Sequence, residues 1–164
     1  MKKKSICIRP AKTDDCRDVF VIISDPVVRQ ATFKQRTISW DEHQRWFQAA
    51  LKNPDRLLFI IVGNGNTLGM LRFDIQKKYA DVSIVLNKAT RGHGYGPQSL
   101  QLGCDAIYQL TEISNYRAYV RTGNISSYKA FAKAGFVHKG STTIEGAEAG
   151  IFVYTIADST TNAV

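Results

Sequence analysis

The sequence predicts an α/β fold of the α+β type, with a mixed, mostly antiparallel sheet of six to seven strands and about four helices. Three strand-like segments joined by tight turns, at residues 57–62, 67–75 and 79–86, predict an antiparallel meander. A glycine-rich turn, an apolar-periodic helix and a strand at residues 116–120 follow, which indicates a parallel crossover beside the last strand of the meander. Residues 1–156 are therefore expected to form one domain, with a flexible tail at 157–164.

The N-terminal region is predicted to contain one strand and one helix. Residues 5–9 alternate in polarity and are followed by proline, which predicts the first strand. Thr13 is the predicted N-cap of a helix that ends where Asp25-Pro26 interrupts it. Residues 27–37 show no clear period and are expected to form a loop or a short helix.

A second helix precedes the meander. Ser39 and Glu42 have the spacing of a capping box, and apolar residues recur at helical spacing as far as Asn53-Pro54. The turn at residues 63–66, Gly-Asn-Gly-Asn, joins the first two strands of the meander with residues that tolerate positive φ.

The C-terminal third is predicted to add two helices and two strands around the crossover strand. Residues 97–110 form the helix after the glycine-rich turn, and residues 124–134 form another, capped by Asn124 and closed by Gly135. Residues 136–138 and 150–156 are the last two predicted strands.

Composition limits the class of protein. With 164 residues and 44% hydrophobic residues, the chain is expected to bury a core, and no apolar run approaches the ~18 residues of a membrane span. The N-terminal apolar segment is too short for a signal peptide. Three widely spaced cysteines, Cys7, Cys16 and Cys104, predict neither a disulfide framework nor a metal site. A cytoplasmic location fits these features best.

The net charge of +8 has three explanations: a nucleic-acid partner, a polyanionic small molecule, or a generally basic surface. The lysines are scattered singly or in short groups, which makes nucleic acid the least favoured of the three.

The glycine-rich turn has the features of an anion site. A strand, a glycine turn and a helix start leave backbone N–H groups unpaired, and the helix dipole adds positive charge. A dinucleotide fingerprint would need glycine or alanine at Pro97, and a phosphate-binding P-loop would need Lys and Ser/Thr after the last glycine. Both are excluded by residue, whereas a turn with no ligand remains an alternative. The segment contains Arg91, Gly92, His93, Gly94, Tyr95 and Gly96.

Two motifs together resemble the GNAT superfamily of N-acetyltransferases. The Arg-x-x-Gly-x-Gly spacing at Arg91, Gly94 and Gly96 is similar to the family's acetyl-CoA loop. Residues 124–136, Asn-Ile-Ser-Ser-Tyr-Lys-Ala-Phe-Ala-Lys-Ala-Gly-Phe, resemble the family's Asn, small residue, aromatic and Lys-x-Gly-Phe pattern, in the family's order. The resemblance implies the GNAT fold, with the sheet splayed between the fourth and fifth strands.

The resemblance also implies acetyl-CoA as cosubstrate, with no metal. The pyrophosphate would contact the glycine loop, the pantetheine arm would lie in the splay beside Val85 and Leu86, and Asn124 would bond it. Lys129 and Lys133 are candidates for the 3′-phosphate, although a solvated helix face is the favoured explanation for both. The full set of expected cofactor-binding residues is Val85, Leu86, Arg91, Gly92, His93, Gly94, Tyr95, Gly96, Asn124, Ser126, Phe131 and Lys133.

The expected chemistry is direct attack of a neutral amine on a thioester. Asp81 stands near the position of a glutamate in many family members, and Ser83 follows on the same strand face, so that both are candidates to deprotonate the amine through water. Phe131 stands where many members carry a tyrosine that donates a proton to the departing thiolate. Tyr128, one turn earlier, is the substitute candidate, and Tyr119 is another.

A narrower resemblance concerns the acceptor. Three segments look like the amino-sugar N-acetyltransferases of pseudaminic acid and related pathways, which implies a UDP-linked 4-amino-4,6-dideoxy sugar. Arg29, Arg36, Arg72, Phe33 and Tyr79 would then hold the nucleotide. The segments are Trp40-x-x-His43-x-x-Trp46-Phe47, residues 68–74 and residues 82–84.

Two alternatives stay open. One is a ribosomal-protein-type N-terminal protein acetyltransferase, and the other is a non-catalytic CoA-binding module of the same fold. His43 is expected either to meet the acceptor or, more simply, to belong to the core. No membrane partner is expected, and a homodimer is compatible with the fold.

Overall fold

The computed structural model describes residues 5–157, so that the predicted flexible tail falls, from residue 158 onward, outside the described part. The strands are β1 Ile6–Pro10, β2 Arg56–Gly63, β3 Asn66–Ile75, β4 Ala80–Leu86, β5 Asn115–Arg121, β6 Val137–Ile144 and β7 Ala147–Thr155. The α-helices are α1 Cys16–Ser24, α2 Pro26–Ala31, α3 Trp40–Lys52, α4 Tyr95–Thr111 and α5 Ile125–Lys133. None of these helices is long and apolar enough to cross a membrane.

The seven strands form one mixed sheet in the order β1-β2-β3-β4-β5-β7-β6. The pair β4–β5 is parallel and the other neighbouring pairs are antiparallel. The parallel pair is joined through α4, because a parallel connection needs a crossover. The predicted fold class, the meander and the crossover are therefore confirmed, with one helix more than expected.

The sheet opens between β4 and β5. Each of these strands has seven residues, yet they pair at two positions only, Ala80 with Tyr116 and Asp81 with Arg117. Along the rest of β4, residues 82–86 pair with β3 on one side, and no described strand pairs with them on the other. The result is a cleft that opens toward the C-terminal ends of both strands. This is the splay that the resemblance to the GNAT fold implied.

Helices cover both faces of the sheet. On one face, α4 and α5 pack on a core that includes Leu71, Phe73, Leu100, Ile107 and Phe152. On the other face, α1 and α3 bury a second core against β2 and β3, with Val19, Phe47, Ile60 and Met70 among its members. Because α1 and α3 pack mainly on β2 and β3, polar side chains of β4 and β5 occupy the remainder of that face.

The starts of three helices follow from local capping. Asp25 accepts a hydrogen bond from the Val27 N–H (2.8 Å), and Pro26 is the first residue of α2. The Asp25-Pro26 pair therefore ends one helix and begins the next, which explains the helix found within the segment that lacked a period. Ser39 caps α3 and Asn124 caps α5, as the sequence predicted.

The predicted cap at Thr13 is wrong. Residues Thr13–Asp15 form a 3-10 turn before α1, and the Asp15 carboxylate accepts the Lys12 backbone N–H (2.7 Å). Arg9 donates to both oxygens of the same carboxylate at 2.8 Å, so the negative charge of Asp15 is paired with the positive charge of Arg9. The Asp15 side chain thus organises this turn, because it reaches a basic residue of β1 that sequence spacing does not reveal.

The strand predicted at residues 136–138 is longer than expected. Strand β6 extends to Ile144 and forms a hairpin with β7. Its residues 139–143, Lys-Gly-Ser-Thr-Thr, have no apolar alternation, and most are exposed. Pairing with β7, not burial, makes them a strand, which is why their own composition gave no signal.

Candidate active site

The glycine loop between β4 and α4 presents open backbone. Gly92 and Gly94 have φ of +76° and +78°, a conformation that favours glycine, and an added Cβ at either position would meet nothing within 4 Å. Gly94 is the N-cap of α4, which begins at Tyr95. The sequence analysis began this helix at Pro97, but Pro97 is its third residue. It still removes only one of the unpaired amides at the helix start.

Arg91 ties this loop to the rest of the molecule. Its Nε donates to the Leu86 carbonyl (3.2 Å), and its Nη2 lies 3.4 Å from the Asp25 carboxylate. The backbone N–H of Val27 and then Arg91 lower the pKa of Asp25 below its ordinary value. Arg91, predicted as a phosphate ligand, thus already has an internal carboxylate partner.

His93 and Tyr95 complete the loop. The His93 Nδ1 bonds the Arg91 carbonyl at 2.8 Å, and its ring stacks on Tyr95 with ring centres 6.2 Å apart. Gly96 brings α4 close to α5, because an added Cβ there would lie 3.3 Å from the Ala130 Cβ. The loop and α5 therefore form one surface.

The expected cofactor residues of α5 have different environments. The Asn124 side-chain oxygen accepts from the Ser127 N–H (3.3 Å) and from the Ser126 hydroxyl (3.1 Å). Phe131 is 3% exposed and packs edge-on against Phe136. Lys133 is exposed in the last turn, on the same side of the helix as Ala130 by its spacing of three.

Val85 and Leu86 lie on the part of β4 that borders the cleft. Their side chains pack on opposite cores of the sheet, Val85 with the α1–α3 side and Leu86 with the α4–α5 side. Alternate residues of a strand direct their backbone groups to opposite sides, so this segment offers N–H and C=O groups to the cleft.

Asp81 and Ser83 share the α1–α3 face of the sheet. Asp81 is held by Arg117, whose Nε and Nη2 donate to its two oxygens at 2.7 and 3.0 Å. Ser83 lies opposite Arg72 on β3 and is exposed. The hydrogen bonds that Arg117 donates to Asp81 raise the pKa of Arg117 above its ordinary value. Each Asp81 oxygen keeps a second lone pair for a further donor.

Tyr128 lies on the opposite face of the sheet from Asp81. Its ring packs edge-on against Phe152 (4.9 Å) and lies 5.6 Å from the His138 ring. The hydroxyl approaches Gly150, where an added Cβ would collide with it. Gly150 is paired with Val120, near the C-terminal end of β5. The three predicted catalytic residues therefore occupy both faces, and the β4–β5 cleft separates them.

Two half-buried arginines, Arg29 on α2 and Arg121 at the end of β5, have no carboxylate partner in the described part of the chain. The Arg29 Nε donates to the Ile23 carbonyl (2.7 Å), and Arg121 Nη1 donates to the Thr32 carbonyl (3.3 Å). Burial and then the nearby Arg36 lower the pKa of Arg29. Sequence reasoning missed Arg121 and Arg117, although both lie on the polar face of β5, alternating with the core residues Tyr116, Ala118 and Val120.

The other nucleotide-binding candidates are engaged. Arg36 forms an ion pair with Glu42, and Arg72 lies 3.0 Å from Asp74. The Arg117 guanidinium covers the ring of Tyr79 at 4.4 Å. His43 is 1% exposed, bonds the Cys16 carbonyl (2.9 Å), and has its pKa lowered by burial. It is a core residue.

The family assignment follows from the sequence as a whole. A profile described as Acetyltransferase (GNAT) domain matches residues 5–137, most of the chain. The chain belongs to the GNAT family of acetyltransferases. It is an acetyl-CoA-dependent N-acetyltransferase, as the two motifs implied, so that the non-catalytic alternative does not hold. No curated protein sequence gives a significant match.

Solved structures share the GNAT fold at low identity. The aminoglycoside acetyltransferase AAC(6′)-Ib in complex with ribostamycin and coenzyme A superimposes with a TM-score of 0.81 at 14% identity, covering 92% of this chain and 93% of its own. Spermidine N-acetyltransferase from Vibrio cholerae with CoA and spermine has a TM-score of 0.82 at 15% identity, with coverage of 92% and 95%. A domain from Methanocaldococcus jannaschii has a TM-score of 0.81 at 19% identity, with coverage of 94% and 100%.

The residues of this chain fit coenzyme A. The loop amides lie open at a helix N-terminus, where phosphate is favoured, and the cleft offers unpaired strand backbone for an extended amide-bearing arm. GNAT chemistry needs no metal, and no group of three or more metal-ligating side chains occurs among residues 5–157.

Proposed function

We propose that the acceptor is the amine of a nucleotide-linked sugar, such as a UDP-linked 4-amino-4,6-dideoxy sugar. The observation that carries the proposal is the pair Arg29 and Arg121, two half-buried guanidiniums whose only described polar partners are backbone carbonyls. A buried cation without a counter-charge is costly, and a phosphate group would supply that charge with bidentate hydrogen bonds.

A nucleotide-linked sugar has the required chemistry. Its pyrophosphate can pair with the two arginines, while the sugar amine extends away from it. Thr32 contacts both residues, since its carbonyl accepts from the Arg121 guanidinium and its hydroxyl donates to the Arg29 backbone carbonyl (2.8 Å). The next residue, Phe33, is half-buried and offers an apolar ring for a base. These contacts replace Arg36 and Arg72 as the favoured ligands.

The proton transfers are assigned to the two faces of the sheet. Acetyl-CoA supplies the thioester that the amine attacks. Asp81 and Ser83 accept hydrogen bonds from the amine or an intervening water on the acceptor face. Backbone N–H groups of residues 82–86 that point into the cleft bind the developing oxyanion. Tyr128, on the other face, donates a proton to the departing thiolate in this proposal.

The remaining residues bind the nucleotide end of the cosubstrate. The amides of residues 92–96 and the start of α4 hold the pyrophosphate, and Arg91 keeps the loop in place through Leu86 and Asp25. Asn124 bonds the arm through its free amide nitrogen, and Lys133 pairs with the 3′-phosphate.

An acceptor panel tests the proposal. Thiol release from acetyl-CoA is measured with UDP-linked amino sugars, ribostamycin, spermidine and peptides with free N-termini, because the structural neighbours are aminoglycoside and polyamine acetyltransferases. Turnover confined to the nucleotide sugars is expected. Turnover of the cationic amines or of peptides without turnover of any nucleotide sugar would refute it, and the peptide result would favour the N-terminal acetyltransferase.

Single variants test the two arginines. Arg29→Gln and Arg121→Gln should each raise the KM of the nucleotide sugar about 10- to 150-fold, since a hydrogen bond to a charged group contributes about 1.5–3 kcal/mol. The KM of acetyl-CoA should stay unchanged. Lys52→Gln, which removes one charge from the exposed C-terminal turn of α3, is the control for general electrostatic attraction.

A further inference from the structure

At the last position where β4 pairs with β5, the two facing side chains form a bidentate ion pair. Arg117 and Asp81 face each other across the strands, and two parallel hydrogen bonds of 2.7 and 3.0 Å join them. Arg117 Nη2 also donates to the Tyr79 hydroxyl at 3.0 Å. Planar bidentate pairing fixes both distance and angle, which a single charge contact does not.

Aromatic rings hold the guanidinium in place. Its central carbon lies 4.4 Å from the centre of the Tyr79 ring and 4.8 Å from that of Tyr119. Tyr119 is the second residue of β5 beyond the last pair, so its ring borders the open cleft on the acceptor face. The pair therefore connects the closed part of the sheet with the wall of the cleft.

The cleft has an open end and a closed end. The glycine loop follows Leu86 at the open end, and Asp81 stands at the closed end, about 17 Å away for five residues at ~3.3 Å each. An arm anchored at the loop and laid in the cleft has its acyl end near Asp81 and Arg117. Widening or deepening the closed end would give room to a longer acyl group.

We propose that the Arg117–Asp81 pair, held between Tyr79 and Tyr119, is a clamp that sets the depth of the β4–β5 cleft and so restricts transfer to short acyl groups. Arg117 is a positioning residue in this proposal. Asp81 acts in both roles, since the clamp uses one lone pair on each oxygen and leaves the other for the amine. The inference depends on the proposed placement of the acyl-CoA arm in this cleft.

Acyl-chain selectivity tests the clamp. Arg117→Gln should raise the ratio of kcat/KM for propionyl-CoA to that for acetyl-CoA at least about fivefold, while kcat/KM for acetyl-CoA falls about tenfold, because small displacements of bound reactants cost much rate. Arg117→Lys keeps the charge but loses the bidentate geometry and should show an intermediate ratio. An unchanged ratio in both variants would overturn the proposal.

Arg56→Gln is the matched control. Arg56 and Asp74 form an ion pair on the same face, across strands β2 and β3, and their side chains are 29% and 23% exposed, compared with 31% and 26% for Arg117 and Asp81. That pair lies where the strands stay paired. Its loss should change thermal stability about as much as loss of Arg117 but leave the acyl-CoA ratio unchanged.

Hydrogen exchange separates the clamp from the placement of the arm. Without any cosubstrate, Arg117→Gln should accelerate amide exchange in residues 80–83 and 115–119 about tenfold relative to Arg56→Gln, because the strand ends separate more often. Faster exchange with an unchanged acyl ratio would show that the clamp exists and that the arm lies elsewhere. If amide exchange were the same in Arg117→Gln as in Arg56→Gln, the proposed clamp would be refuted.

Discussion

Gly94→Ala examines the glycine loop without adding a clash inside the protein. Gly94 has φ of +78°, and an added Cβ meets nothing within 4 Å, so the cost to the free protein is conformational only. An L-residue in this region costs about 1–2 kcal/mol. For a chain of this size we expect the melting temperature to fall by about 2–8 °C.

The effect on acetyl-CoA should be larger than this strain explains. The new methyl group enters open space at the loop whose amides are the proposed phosphate ligands. Loss of one hydrogen bond to a charged group, about 1.5–3 kcal/mol, raises the KM or Kd of acetyl-CoA about 10- to 150-fold. Steady-state kinetics and calorimetric titration with coenzyme A measure it.

Gly65→Ala is the control for strain. Gly65 lies in the β2–β3 turn with φ of +75°, and its added Cβ also meets nothing within 4 Å. It should lower the melting temperature by a similar amount and leave the KM of acetyl-CoA unchanged. If Gly94→Ala raised that KM no more than Gly65→Ala, the loop would not be the phosphate site.

Three further predictions concern the core and the proton donor. Burial lowers the pKa of His43, so that below about pH 6.5 the unfolded chain binds a proton that the folded chain does not. The free energy of unfolding should therefore fall as pH drops from about 7.5 to 5.5. His43→Gln should flatten this pH dependence in urea titrations. Tyr128→Phe should lower kcat about 10²-fold without changing the KM of acetyl-CoA, whereas an unchanged kcat would exclude its hydroxyl as the acid. Gly103→Ala should cost about 1–3 kcal/mol in chemical denaturation, because its Cβ would lie 2.8 Å from both Leu71 and Phe73.

Several features that depend on neighbouring residues, such as two helix caps and the glycine turns, were predicted correctly from the sequence. The capping side chains of Ser39 and Asn124 act within three residues of themselves, and the glycines at 92 and 94 adopt the positive φ that only glycine takes readily. The meander was also predictable, because its strands are apolar and its turns are short. Helix α2 was left open between a loop and a short helix, and the second half of β6 was not predicted, since neither has an apolar period of its own.

The distribution of charges could not be predicted, because it depends on strand register. Arg117 and Asp81 are 36 residues apart in sequence, and Arg121 meets Thr32 across 89. Nothing local distinguishes these arginines from Arg36, which pairs with a glutamate six residues away. Which cations keep a carboxylate, and which remain for a ligand, is decided only when the sheet is assembled.

The sequence by itself determined that this chain is an acetyltransferase of GNAT type, because the loop at residues 91–96 and the motif at 124–136 encode their backbone conformations locally. Tertiary structure alone decided that Asp81 is hydrogen-bonded by Arg117, that Tyr128 stands on the opposite face of the sheet, and that Arg29 and Arg121 have no carboxylate partner among residues 5–157. The physical reason is that a turn or a cap depends on neighbouring residues, whereas faces, ion pairs and burial depend on how distant strands align.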